Sequence, residues 1–234
     1  MIGHEVIFMK KLSWPVMAAG LILTILISNI GSFIHDGRKL DELRGSVLRL
    51  HILANSDSER DQQLKLRVRD ELLESGIFGE ADDLAEAEAV AAEKIEDIER
   101  MAESVLRRSG CTDKVTAELA DTDFDERVYG YMTMPAGRYR ALRIKIGRAE
   151  GHNWWCVMYP PLCLPAACEA ADDEENAYEN VEANQNEAEK HFDGKELDIL
   201  KHPKKYRVRF AIWDKMCKLL KDDTVQSDKN KEAP

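Results

Sequence analysis

A chain of 234 residues with 44 Asp/Glu against 33 Lys/Arg, net charge −11, is long enough for one domain with appendages or for two small domains. The acidity is local: Glu169–Leu200 holds about twelve Asp/Glu against Lys190 and Lys195, so the rest of the chain is near neutral. No Lys/Arg stripe interleaved with aromatics is present, which argues against nucleic acid as a partner, and the 5 cysteines show neither CxxC nor zinc spacing, so no metal or cofactor is expected.

Lys10 and Lys11 precede an uncharged apolar run from Leu12 to Ile34. Its length of about 23 residues is enough to cross a hydrocarbon core of roughly 30 Å as a helix. A signal peptide reads the same way up to its cleavage site. No A-x-A follows, and Ile30-Gly31-Ser32 is a poor substitute. The run lacks a polar face, which argues against a buried core helix. Residues 1–35 are therefore expected to be a signal peptide or membrane anchor that delivers the chain across a bilayer, with membrane contact through 12–34.

Residues 36–168 read as one α+β domain. Leu48, Leu50, Ile52 and Ala54 alternate with Arg49 and His51, a strand with one core face and a surface histidine. Ser56-x-x-Glu59 fits a capping box that opens a helix running to about Glu74, with Gly76 as C-cap. Its two apolar rows, Leu64/Val68/Leu72 and Leu66/Leu73/Ile77, suggest a helix wedged between two neighbours. Ala81–Ser109 reads as a second helix, one apolar stripe with acids in its first turn, arginines in its last and Gly110 as stop; its glutamates read as a solvated face. Strands follow at Val115–Leu119 and Val128–Met134. The turn Met134-Pro135-Ala136-Gly137 joins the latter to Arg140–Ile146 as a hairpin. The expected fold is a single small mixed or antiparallel sheet with two to three helices packed on it, preceded by one N-terminal transmembrane or signal helix.

Gly147 and Gly151 frame a turn into Asn153-Trp154-Trp155-Cys156-Val157-Met158-Tyr159. As a strand it places Trp154, Cys156 and Met158 on one face and Trp155, Val157 and Tyr159 on the other. Both faces are apolar, so the strand is buried on two sides or lends one to a partner. Pro160 and Pro161 end it. Beyond Cys168, Glu169–Ala188 is acidic and nearly free of large apolar side chains, and residues 169–200 are expected to be an acidic insert, disordered or loosely helical. A C-terminal helix is expected over 201–221, opened by Pro203 and striped by Val208, Ile212, Trp213 and Met216, then a disordered tail over 222–234.

No G-x-S-x-G, Walker A, Rossmann glycine pattern or H-E-x-x-H occurs. Cys156 with His152, four residues apart along an extended chain, lie beyond hydrogen-bond distance at about 3.3 Å per residue. A Ser56, His51, Asp57 triad meets the same objection. No catalytic residue and no small-molecule substrate are expected. Cys156 and Cys163 have two readings. If the chain is exported, the double proline can turn it so that they form a disulfide; otherwise Cys156 is a small buried hydrophobe.

Two blocks of residues resemble stage II sporulation protein R. Arg49-Leu50-His51-Ile52-Leu53-Ala54-Asn55-Ser56-Asp57-Ser58, followed by Asp61-Gln62-Gln63-Leu64-Lys65 and Val68-Arg69-Asp70, is similar to the family's first block. Pro135–Gly147 and Gly151–Cys163, with Asn-Trp-Trp-Cys-Val and Pro-Pro-Leu-Cys, are similar to its second. The resemblance implies a signal of endospore-forming bacteria, made in the forespore and exported to the space between the septal membranes. There it would trigger a membrane-embedded aspartic protease of the mother cell that cleaves the sigma factor E precursor. The resemblance transfers no catalytic residue. The expected contact surface is Asn55, Ser56 and Asp57 with Asn153, Trp154, Trp155, Tyr159, Pro160 and Pro161. The alternatives are a septal cell-wall or thiol-dependent enzyme and a structural septal protein.

Overall fold

The computed structural model describes residues 14–79, 81–129, 132–162 and 186–229. In chain order they form α1 (Trp14–Gly45), β1 (Leu48–Leu53), α2 (Glu59–Glu74), α3 (Leu84–Glu93), α4 (Ile95–Arg108), β2 (Val115–Phe124), β3 (Arg127–Tyr129), β4 (Met132–Met134), β5 (Gly137–Ile146), β6 (Asn153–Tyr159), helical residues 186–191 (α5), α6 (Gly194–Lys201) and α7 (Pro203–Lys229). They fall into two compact units, Lys39–Arg207 and the described parts of Met1–Arg38 with Val208–Pro234.

The larger unit is the expected α+β fold around a mixed four-stranded sheet of order β2-β5-β1-β6. β1 lies parallel to β5 and antiparallel to β6, and β2 runs antiparallel to β5. All six residues of β1 are buried, because the strand is central and both sheet faces are covered. His51 is therefore not a surface histidine, nor Arg49 a wet-face arginine: they are 5% and 0% exposed. On the other face, Leu50, Ile52, Leu142 and Ile144 pack against Leu64, Val68 and Leu72 of α2 and Ile98, Ala102 and Leu106 of α4.

Local sequence explains the element ends, with differences. The cap of α2 is Ser58, whose hydroxyl accepts from the Asp61 N–H, so the Ser56-x-x-Glu59 box does not form. The single helix expected over Ala81–Ser109 is two. Lys94 (φ −91, ψ 2) leaves helical geometry while keeping its bonds to Val90 and Ile98, and this bend turns both Ala87/Ala91 and Ile98/Ala102/Val105 into the core. Two of the glutamates are not simply solvated: Glu99 and Glu103 accept from backbone N–H groups of β2.

The hairpin between Val128–Met134 and Arg140–Ile146 does not form either. β4 pairs with β3 in a separate two-stranded sheet, while β5 is zipped over its ten residues to β2. A ten-residue ladder outcompetes a three-residue one. In β6 a register shift against β1 pairs Leu48 with Tyr159 and Arg49 with Val157, leaving Met158 as the extra residue. Tyr159 thereby joins Trp154 and Cys156 in the helix-side core, where strict alternation placed it opposite.

Part of the insert expected to be disordered or loosely helical is well-formed, packed helix. Residues 186–191 and α6 bury Ala188, Phe192, Ile199 and Leu200, and Asp193 with Glu196 forms a full capping box. Residues 169–185 lie outside those described. α7 extends from Pro203 through residues 222–229, which the sequence assigned to a tail. In its stripe Trp213 is buried, whereas Val208 and Ile212 are exposed.

In the smaller unit, α1 is the one described helix long and apolar enough to cross a membrane, and none of its apolar stretch is buried. The ring of Trp213 meets Phe33 edge-on at 5.8 Å and covers Gly37, while Arg209 pairs with the buried Asp36.

Candidate functional site

One end of the sheet holds the turn after β1 and the loop before β6, tied by backbone bonds. The Gly151 N–H donates to the Ala54 carbonyl at 2.9 Å, and the Glu150 N–H to that of Asn55 at 3.3 Å. Asn55 Oδ1 accepts from the Arg148 N–H at 3.0 Å, and its amide donates to Asp61 at 2.9 Å. Ser56 Oγ donates to the same carboxylate at 2.6 Å, and these two bonds hold the Asp61 carboxyl below its ordinary range. Two glycines are there for space: a Cβ on Gly151 would overlap the Ser56 carbonyl, and one on Gly147 the Asn55 side chain.

Asp57 closes the arrangement from outside. Its carboxylate accepts from the His152 backbone N–H at 2.5 Å and faces the imidazole Nδ1, which holds Asp57 below the usual carboxylate range. Beneath it, Lys65 donates to the His152 carbonyl at 3.0 Å and to Gln62 at 2.6 Å; burial, then the nearby Arg69, pushes the Lys65 ammonium down.

Asn153 leads from this knot to an aromatic patch on the face away from the helices. With its amide turned to match the donors and acceptors around it, the side-chain oxygen accepts from His51 Nε2 at 3.1 Å and Trp155 Nε1 at 3.2 Å, and the amide nitrogen donates to the Gly151 carbonyl. The half-buried Trp155 carries the Arg127 guanidinium over its ring at 3.8 Å and meets Phe124 and His51 edge-on. Deeper, Arg49 lies 4.0 Å over Phe124 and 5.0 Å from Tyr139, and donates to Tyr129 Oη at 2.6 Å. Burial, then Arg143 and Arg49, pushes His51 down to about 4; burial pushes the Tyr139 phenol up to about 12.

The model of the family described as stage II sporulation protein R matches residues 44–169, more than half the chain. The chain belongs to the stage II sporulation protein R family. Stage II sporulation protein R of Bacillus subtilis (strain 168) is similar to it, 38% identical over 120 residues, which is 50% of this chain and 54% of that protein. The chain thus spans about half the length of the curated relative it matches. No solved structure matches. The matched stretch contains the whole sheet and the knot at its end.

Within this family member the expected contact residues divide among three places. Asn55, Ser56 and Asp57 come together with Asn153 and Trp155. Trp154 points the other way: it is 8% exposed, packs in the helix-side core and lies under Arg69 at 5.4 Å, so it is not surface. Tyr159, Pro160 and Pro161 lie at the far end of β6, six residues and about 20 Å away. There Tyr159 Oη donates to the Asp82 carbonyl at 3.1 Å, Pro160 is buried after a cis peptide bond, and Pro161 is exposed. Sequence reading overlooked Arg127, which no motif marks, and Lys65, whose burial on α2 follows only from the loop above it.

Cys156 is fully buried and disulfide-bonded, so the nucleophile required by a thiol enzyme at this position is tied up. Its partner, and with it the expected pairing to Cys163, lies outside the described residues. Among the described residues Cys111 and Cys217 form no disulfide, and no group of three or more His, Cys, Asp or Glu could hold a metal ion. The arrangement offers what protein recognition uses: a rigid polar turn beside a flat indole capped by a guanidinium.

Proposed function

We propose that the chain is an exported signal of sporulation that activates a membrane-embedded aspartic protease of the mother cell, the enzyme that processes the sigma factor E precursor. The forespore makes it, α1 carries or anchors it at the membrane, and the sheet domain acts in the space between the septal membranes. The observation that carries this reading is the apolar helix α1 running without interruption to Gly45, the start of the stretch that matches the family. The surface that would meet the protease is the knot and indole patch: Asn55, Ser56, Asp57, Asn153 and Trp155.

The test places the full chain in vesicles together with the protease and the sigma factor E precursor. Precursor cleavage is followed with the sheet domain on the outer or the inner side. Cleavage is expected only with the domain on the outer side, and Trp155→Ala should reduce it at least about tenfold, the scale of an interface anchor. Folded, correctly oriented chain that leaves the precursor intact would overturn the reading. Cleavage undiminished by Trp155→Ala would move the contact surface elsewhere.

A further inference from the structure

β2 is an outer strand of the sheet, and its two halves are treated differently. The Ala117 N–H donates to Glu99 at 2.8 Å and the Val115 N–H to Glu103 at 3.4 Å, both carboxylates coming from α4. These odd-numbered residues thus turn their N–H away from β5. An antiparallel ladder alternates inward and outward pairs, and no bulge interrupts this one, so Leu119, Asp121 and Asp123 face outward as well. Among the described residues nothing accepts from those three N–H groups. One half of the edge is shielded by α4; the other, about 17 Å long at 3.4 Å per residue, is open.

The open half is acidic. Asp121 and Asp123 are exposed and share one side of the strand. Asp121 has only Arg140, at 3.7 Å, and Asp123 has no ion pair among the described residues. Exposed edges are commonly guarded by lysine or proline, and neither occurs between 119 and 123. A second copy pairing here would set these carboxylates against others, and an anionic lipid surface would repel them.

We propose that Leu119–Asp123 is an open β-edge that takes up an extended cationic segment of a partner protein. The segment adds a fifth strand to the sheet and sets Lys or Arg at alternate positions against Asp121 and Asp123. Backbone pairing supplies register-independent attachment and the alternating charges supply selectivity.

The test uses the full chain in zwitterionic detergent and two blocked heptapeptides, Lys-Val-Lys-Val-Lys-Val-Lys and its Glu-for-Lys counterpart. The lysine peptide should bind at least tenfold tighter. It should slow amide exchange of Leu119, Asp121 and Asp123 at least tenfold while leaving Ala120 and Thr122, already bonded to β5, unchanged. The double variant Asp121→Lys/Asp123→Lys should reverse the peptide preference. Asp121→Pro removes one outward N–H without touching the ladder to β5 and should weaken binding at least threefold. Protection of the Ala141 and Arg143 amides reports that each variant is folded. Equal binding of both peptides, protection at other amides, or concentration-dependent protection of the same amides without peptide would each overturn the proposal.

Discussion

Arg49 is a whole positive charge placed where water cannot reach it, with no carboxylate in salt-bridge range among the described residues. Three aromatic rings and one tyrosine hydroxyl receive it, and its Nε and Nη1 meet no acceptor. Burial of a cation costs several kcal/mol, and desolvated ring contacts return about 2 kcal/mol. Arg49→Met should therefore raise stability, by about 1–2 kcal/mol in urea unfolding; a loss would mean that the rings outweigh the desolvation. Its neighbour His51 makes stability depend on pH. Its folded pKa of about 4 lies below the unfolded value of 6.5, so the unfolded chain binds the proton first. The contribution is complete above pH 6.5 and is lost as pH falls toward 4, on the order of 2–3 kcal/mol in all. Unfolding of wild type and His51→Gln at pH 7, 5 and 4 isolates it: the two should converge as pH falls, and a constant gap would refute it. Both residues looked like a wet face from sequence, because a strand with one polar row alternates identically whether that row meets water or a second layer. Nothing near β1 in the chain announces the Phe124, Tyr129 and Tyr139 rings that cover it.

Elements were legible where the signal was local. The apolar rows of α2, the dipole-matched ends of the second helical stretch and the glycine stop at Gly110 all came from neighbouring residues. What failed depended on partners distant in sequence: the zipping of β5 to β2 and the bulge in β6. The helices over 186–201 were partly legible, masked by acidic composition although the Asp193–Glu196 box is a local signal. The knot at the sheet end was half legible. Gly147 and Gly151 read as turn residues, but the reason for Gly151 is the Ser56 carbonyl from another turn. Gly151→Ala must push these turns apart and should destabilise by about 1–3 kcal/mol, the scale of overpacking a tight site. Gly45→Ala, where an added Cβ meets nothing, should stay within about 0.5 kcal/mol. In the helical unit, Gly37→Leu should unseat Trp213 and speed proteolysis of α7; unchanged digestion would show the contact to be dispensable.

For the whole molecule, the proposed export draws on two separate features, an apolar helix and a disulfide. A reducing cytosol would leave Cys156 a thiol, and thiols in such a compartment rarely stay paired. Of the 5 cysteines, Cys111 and Cys217 form no disulfide, so a bond within one chain leaves Cys163 or Cys168 for Cys156. Either closes a short loop of roughly eight to thirteen residues, for which loop entropy gives about 2–3 kcal/mol. Because β6 is an outer strand whose one ladder among the described residues is to β1, that sum bears on the strand which presents Trp155. Reductant should lower the unfolding free energy of wild type in urea by this amount, and its midpoint with it, and leave Cys156→Ser, already lacking the bond, unmoved. Peptide mapping without reduction then decides between the two partners, with Cys163 the proposed one. Equal midpoints with and without reductant would mean that the crosslink does not hold the domain, and the argument from disulfide to export would lose its physical basis.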